Sequence, residues 1–222
     1  VSRRLLVLRP APGATVTAAR VHAAGLHPIL LPLFTIAPLA WSPPPGRFDA
    51  LLLTSANAVR HAGDGLAALR DLPVIAVGTA TAEAAQAARL TVIATGDTDG
   101  AAALRIAQAR GYHRILRLTA DRPTPLAGIV DVAVYTTVAI DHPPGAVAAA
   151  RGAIALLHSS RAAERFRTLL DSAAIDPADV RVAALSAKVA DAAGAGWRDV
   201  VVAATRNDAA LVAAAATRAI DR

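Results

Sequence analysis

Short apolar runs recur along this chain, each leading through a polar turn into a segment whose apolar positions return at helical spacing. "LLLTSANAVRHA" begins at Leu51 and "ALLHSSRAAERF" at Ala155; both read as an apolar strand, then Thr or His, a serine, and a helix. Aligning Ser55 with Ser159 brings "PVIAVGTATAEAAQAARL" from Pro73 against "VRVAALSAKVADAAGAGW" from Val180, and then "TVIATGDTDGAAALRIA" from Thr91 against "DVVVAATRNDAALVAAA" from Asp199. Two further segments pair in the same way. "RLLVLRPAPGATVTAARVHAAGLHPILLPLF" from Arg4 reads strand, loop, helix, strand, and "HRILRLTADRPTPLAGIVDVAVY" from His113 reads alike with a shorter helix. Strands alternating with helices in this order predict parallel sheets built from βαβ units, with roughly five strands in each half.

Two proline-rich breaks, "APLAWSPPPGRF" and "AIDHPPGA", interrupt the pattern. The symmetric layout makes residues 38–133 one domain and joins residues 1–35 to 143–222 as the other. The chain then crosses twice, through residues 33–38 and 133–142, and both crossings are rich in β-forming residues. The expected fold is therefore α/β, with two domains, each a parallel sheet flanked by helices, joined by a two-stranded β linker. Trp41 reads as a linker residue and Trp197 as a core residue.

Composition changes this picture in a few places. With 222 residues the chain can bury a real core, yet no stretch approaches the ~18–20 uncharged apolar residues of a membrane helix. The apolar run before Arg9 and Pro10 is too short for a secretory signal. There is no cysteine, hence no disulfide framework and no thiolate nucleophile, and a cytoplasmic location is expected. The formal net charge is +6, and Lys188 is the sole lysine among 23 basic residues. Guanidinium groups suit bidentate capture of carboxylate or phosphate, although a GC-rich genome produces the same bias. The arginines are scattered and aromatic residues make up 3% of the chain, so a nucleic-acid surface is poorly supplied. A small polyanion suits the chain better.

Open parallel sheets bind ligands beyond the carboxyl ends of their strands, where helix N-termini offer free N–H groups. Ser55 and Ser159 stand at two such places; serine is also a preferred helix cap, which accounts for them without a ligand. None of the six histidines forms an i, i+4 pair or a cluster with carboxylates, so no metal site is expected. "LLLTSANAV" lacks the glycines of a nucleophile elbow, and neither GxGxxG nor GxxxxGK[ST] occurs. Tyr135 lies in a crossing segment. A phenol is a good hydrogen-bond donor at neutral pH and can assist a leaving hydroxyl, or it can simply pack as a β-forming aromatic.

With "LLVLRP", "DALLLTSANAV", "VIAVGTATAEAA", "VAVYTTVAI", "ALLHSSRAAERF" and "DAALVAAAA" in order, the chain resembles the uroporphyrinogen-III synthase family from end to end. The resemblance implies two α/β domains on a two-stranded linker with an active-site cleft between them. It implies a lyase of tetrapyrrole and heme biosynthesis, a cytoplasmic monomer without cofactor. Its substrate would be hydroxymethylbilane, a linear octacarboxylate, which loses water and closes to uroporphyrinogen III with ring D inverted. Neither nucleic acid nor membrane is an implied partner; a transient contact with the preceding pathway enzyme stays open. By position, Tyr135 matches the family's linker tyrosine and Thr81 the threonine of "VGxxTA". Arg9 matches the arginine of "TRP", with Leu8 in place of its threonine. Ser55, Asn57, Ser159 and Arg161 fall in the two substrate-facing turns. The second copy departs: "LSAKVA" stands where relatives read "IGPTTA", so Ser186 replaces glycine and Lys188 and Val189 replace threonines. Lys188 then becomes a candidate carboxylate contact. The alternative is a non-catalytic two-domain module that binds a small polyanion.

Overall fold

The computed structural model describes residues 4–96 and 98–219. In chain order its strands and α-helices are β1 (Arg4–Val7), α1 (Gly13–Ala23), β2 (His27–Leu30), β3 (Phe34–Pro38), β4 (Ala50–Leu53), α2 (Ala56–His61), β5 (Val74–Val77), α3 (Thr79–Ala87), β6 (Val92–Gly96) and α4 (Gly100–Ala109). They continue with β7 (Ile115–Ala120), β8 (Val130–Ala139), α5 (Pro144–Val147), β9 (Ile154–Leu157), α6 (Ser160–Ser172), β10 (Arg181–Ala184), α7 (Ala187–Ala193), β11 (Asp199–Val202) and α8 (Asp208–Ala219).

These elements form two sheets flanked by helices. One runs β11-β10-β9-β1-β2, with every pairing parallel. The other runs β3-β8-β7-β4-β5-β6. Its pairings from β8 to β6 are parallel, and this stretch repeats the order of the first sheet strand for strand. The chain divides into two compact units, Val1–Thr35 with Ala139–Arg222 and Ile36–Val138. All four residues of each of the central strands β4, β9 and β10 are buried, as befits strands covered by helices on both faces. At the edge, β11 alternates half-buried and exposed positions.

The two crossings pair with each other. Leu39 N–H donates to Val134 O and Ile140 N–H donates to Leu33 O, so one strand advances as the other retreats and β3 lies antiparallel to β8. The beginning of β8 runs parallel to β7 in the register Arg117↔Asp131, so a single long strand serves both the linker and the sheet.

Each unit closes its own cores. In α6, Ala162, Ala163, Phe166, Leu169 and Leu170 are buried at helical spacing against the sheet, and the Phe166 ring stacks on Trp197 at 6.0 Å. Truncating Phe166 to alanine would cost about 3–5 kcal/mol. Trp41 departs from the expectation of a linker residue. It packs on the core of the second unit, and its Nε1–H donates to Ala62 O at 2.7 Å. A second departure lies between β7 and β8, where a short helix is expected and residues 121–129 form a loop. Pro123 and Pro125 remove two amide donors and clash with a continuing helix, so the segment stays extended and irregular.

Candidate functional site

In the second unit a cavity of about 470 Å³ opens at the carboxyl ends of β4 and β7. The end of β4 contributes Thr54 and Ser55, the end of β7 contributes Thr119, and β8 contributes Tyr135; Gly100 at the start of α4 and the proline loop complete the wall. The loop that stands where a helix was expected thus lines the cavity with residues 122–126. Ser55 is extended, and its Oγ accepts the Asn57 N–H at 3.2 Å, capping α2. Tyr135 is 9% exposed and its ring tilts against His61 at 6.2 Å. The ring thus belongs to the core while the residue still forms part of the cavity wall.

Thr81 is buried in the first turn of α3. That helix starts from Gly78 at φ +79, a left-handed conformation that glycine supplies at little cost. Asn57 is half-buried one residue into α2. Ser55 and Tyr135 therefore meet in one cavity, whereas Thr81 and Asn57 do not line it.

The cavity also contains a side chain that sequence reading missed. Period-2 alternation along β7 puts Arg117 on the face of Ile115 and Thr119, toward α4. Its Nε and Nη2 donate to the two oxygens of Asp131 at 2.7 and 2.6 Å, and Nη2 donates to Thr124 O at 3.0 Å. The signal was present: a lone arginine inside the apolar run "ILRLTA", with an aspartate opening the next strand.

The first unit gathers charge at its corresponding strand ends. Asp208, at the start of α8, accepts from Thr17 Oγ1 and from His158 Nε2, each at 2.7 Å, and pairs with Arg20. Arg9 approaches the same carboxylate at 3.5 Å. Burial would raise the Asp208 carboxyl, but the hydrogen bonds from His158 and Thr17 and the charges of His158 and Arg9 outweigh it and hold it at about 2. A Cβ at position 13 would lie 2.5 Å from Arg9 Nε, so a larger residue there would push the guanidinium from its place beside the start of α1. This cluster joins residues nearly two hundred positions apart, and no local pattern announces it.

Ser159 repeats the role of Ser55, its Oγ accepting the Ala162 N–H at 3.2 Å to cap α6. The Arg161 guanidinium lies 4.8 Å over the Phe34 ring. Lys188 is exposed at the second position of α7, and its carbonyl accepts from Ser160 Oγ at 3.5 Å, tying the starts of α6 and α7 together. Val189, at the other departing position, is buried in the core. Among the described residues no group of three or more His, Cys, Asp or Glu could hold a metal ion, and no helix is long and apolar enough to cross a membrane.

Comparison with known proteins adds a third line to the repeat and the fold. The chain superposes on the uroporphyrinogen-III synthetase of Helicobacter pylori with a TM-score of 0.69 at 16% identity, covering 98% of this chain and 100% of that one. At this identity the likeness is one of fold. The uroporphyrinogen III synthase of the extremely thermophilic bacterium Thermus thermophilus matches at 18% identity over 96% of both chains, with a TM-score of 0.40. No curated protein matches significantly. The family model for "Uroporphyrinogen-III synthase HemD" matches residues 15–213, and with nine-tenths of the sequence under that model the chain belongs to the uroporphyrinogen-III synthase family.

Proposed function

We propose that this protein is an active uroporphyrinogen-III synthase, which closes linear hydroxymethylbilane with inversion of ring D and loss of water. What supports this most is the Tyr135 position: a tyrosine among the residues that line a cavity with Ser55 and Thr119, in a member of this family. Tyr135 gives its proton to the departing hydroxyl as the C–O bond breaks. Water leaves, and the phenolate left behind faces the cationic azafulvene that then closes the ring. The intermediate cyclises unaided to the wrong isomer, so the larger task is to hold the chain in the productive conformation.

Eight carboxylates call for donors distributed over both units. Of the second unit's candidates Ser55 lines the cavity and serves there, and Arg9, Ser159, Arg161 and Lys188 serve in the first unit. Arg9 is suited to this because Asp208 and Thr17 restrain its guanidinium. No metal or organic cofactor takes a step.

The test is to supply freshly generated hydroxymethylbilane with and without the protein, oxidise the products and resolve the uroporphyrin isomers. Predominantly type III product is expected. Type I alone, from folded protein that binds the substrate, overturns the reading and favours the non-catalytic polyanion-binding module.

A further inference from the structure

We propose that the cavity of the second unit contains a carboxylate subsite built from Arg117 Nη1 and the first two backbone N–H groups of α4, those of Gly100 and Ala101. The Arg117 side chain is 3% exposed. Its Nε and Nη2 are engaged by Asp131 and the Thr124 carbonyl, and among the described residues nothing bonds Nη1. That nitrogen lies beside the start of α4: a Cβ built on Gly100 would stand 4.0 Å from it. Arg117 lines the cavity, so Nη1 takes its acceptor from whatever occupies that space, and a ligand oxygen placed there would complete the guanidinium's set of partners.

The helix start provides the other donors. Asp99 Oδ1 accepts the Ala102 N–H at 2.8 Å and Asp99 O accepts the Ala103 N–H at 3.1 Å. The N–H groups of Gly100 and Ala101 precede the first intrahelical bonds, at the positive end of a ten-residue helix. Thr54 and Thr119 line the same cavity.

Charge sets the character of the subsite. Asp131 offsets Arg117, so the pair is neutral overall, and Asp99 places a second carboxylate beside the helix start. The subsite therefore takes one carboxylate through directed hydrogen bonds, against opposition from Asp99. A cavity of about 470 Å³ admits a five-membered aromatic ring together with its carboxylate arms. That this ring is a pyrrole of the synthase substrate rests on the proposed function; the subsite itself does not.

The probe is a monopyrrole with one acetate and one propionate arm, titrated calorimetrically into the intact chain beside its dimethyl ester. The diacid should bind roughly tenfold tighter than the ester. Asp99→Asn keeps a capping side chain and removes the opposing charge, so it should tighten the diacid roughly threefold and leave the ester unchanged. A merely structural aspartate would not improve binding when neutralised. Gly100→Ala puts a methyl beside Nη1, 3.0 Å from Leu126 Cδ1 and 3.2 Å from Thr54 Cγ2, where a flexible leucine end can yield. It should weaken the diacid roughly tenfold at an unchanged thermal midpoint. Equal binding of diacid and ester, or an Asp99→Asn variant that does not gain affinity, overturns the proposal. So does a Gly100→Ala variant that binds as the parent does. These effects with only type I product in the isomer assay would sink the synthase reading and leave the subsite standing. Type III product without them would do the reverse.

Discussion

The Tyr135 ring is packed in the core of the second unit, so removing the hydroxyl alone tests the proposed proton donor while the ring stays in place. Tyr135→Phe is expected to retain the thermal midpoint and substrate binding while losing at least about a hundredfold in turnover. Unchanged turnover would remove the phenol from the mechanism. Asp208 presents the opposite case, since its charge supports the first unit. Its carboxyl titrates at about 2 in the folded chain against an ordinary 3.8, so its contribution is complete above the ordinary value and disappears as pH falls through the lower one. Asp208→Asn should be less stable by about 2 kcal/mol at pH 7, and the gap should close in acid below pH ~2. Urea unfolding of both proteins at the two pH values checks this; a gap that persists in acid would mean that packing, not charge, is lost.

Among the elements, α2 and α6 start from equivalent serines, and each serine accepts one otherwise unpaired N–H. Ser55→Ala and Ser159→Ala should each cost about 1 kcal/mol, and aspartate at either position should restore stability. If the hydroxyls also hold substrate carboxylates, the aspartate variants will raise KM despite their recovered fold, because a second negative charge then opposes the ligand. In the 3-10 segment Gly63–Leu69, a Cβ on Gly65 would come within 2.8 Å of the Trp41 ring. Gly65→Ala is expected to destabilise the chain by about 1–3 kcal/mol, seen as a lowered thermal midpoint; an unaltered midpoint would show that the tryptophan is free to move aside.

At the scale of the molecule, the buried clusters among the described residues around Phe166 and Leu211 draw on the first unit, and those around Leu118 and Leu52 on the second. Residues 36–138 form a continuous segment with a sheet and helices of their own. Expressed alone, this segment should give a helical and strand circular dichroism signal and a single cooperative urea transition. A featureless, gradual transition would mean that its stability depends on the rest of the chain.

Much of the fold was legible before any coordinates because its cause is local. Buried parallel strands need uninterrupted apolar runs, helices need apolar residues at their own period, and each junction needs a cap. The doubled serine, the glycine before Thr81 and the β-rich crossings all follow those rules. Tyr135 stood out through its place in one of those crossings and its match to a family pattern, and it lines the cavity. What the sequence did not determine is which distant polar groups meet. The loop in place of a helix after β7, the Arg117–Asp131 pair and the ring of donors around Asp208 depend on strand register and on which helix covers which face. These are set by burial of the whole sheet, since a charged side chain inside an apolar strand finds its partner only once its neighbouring strand is in place.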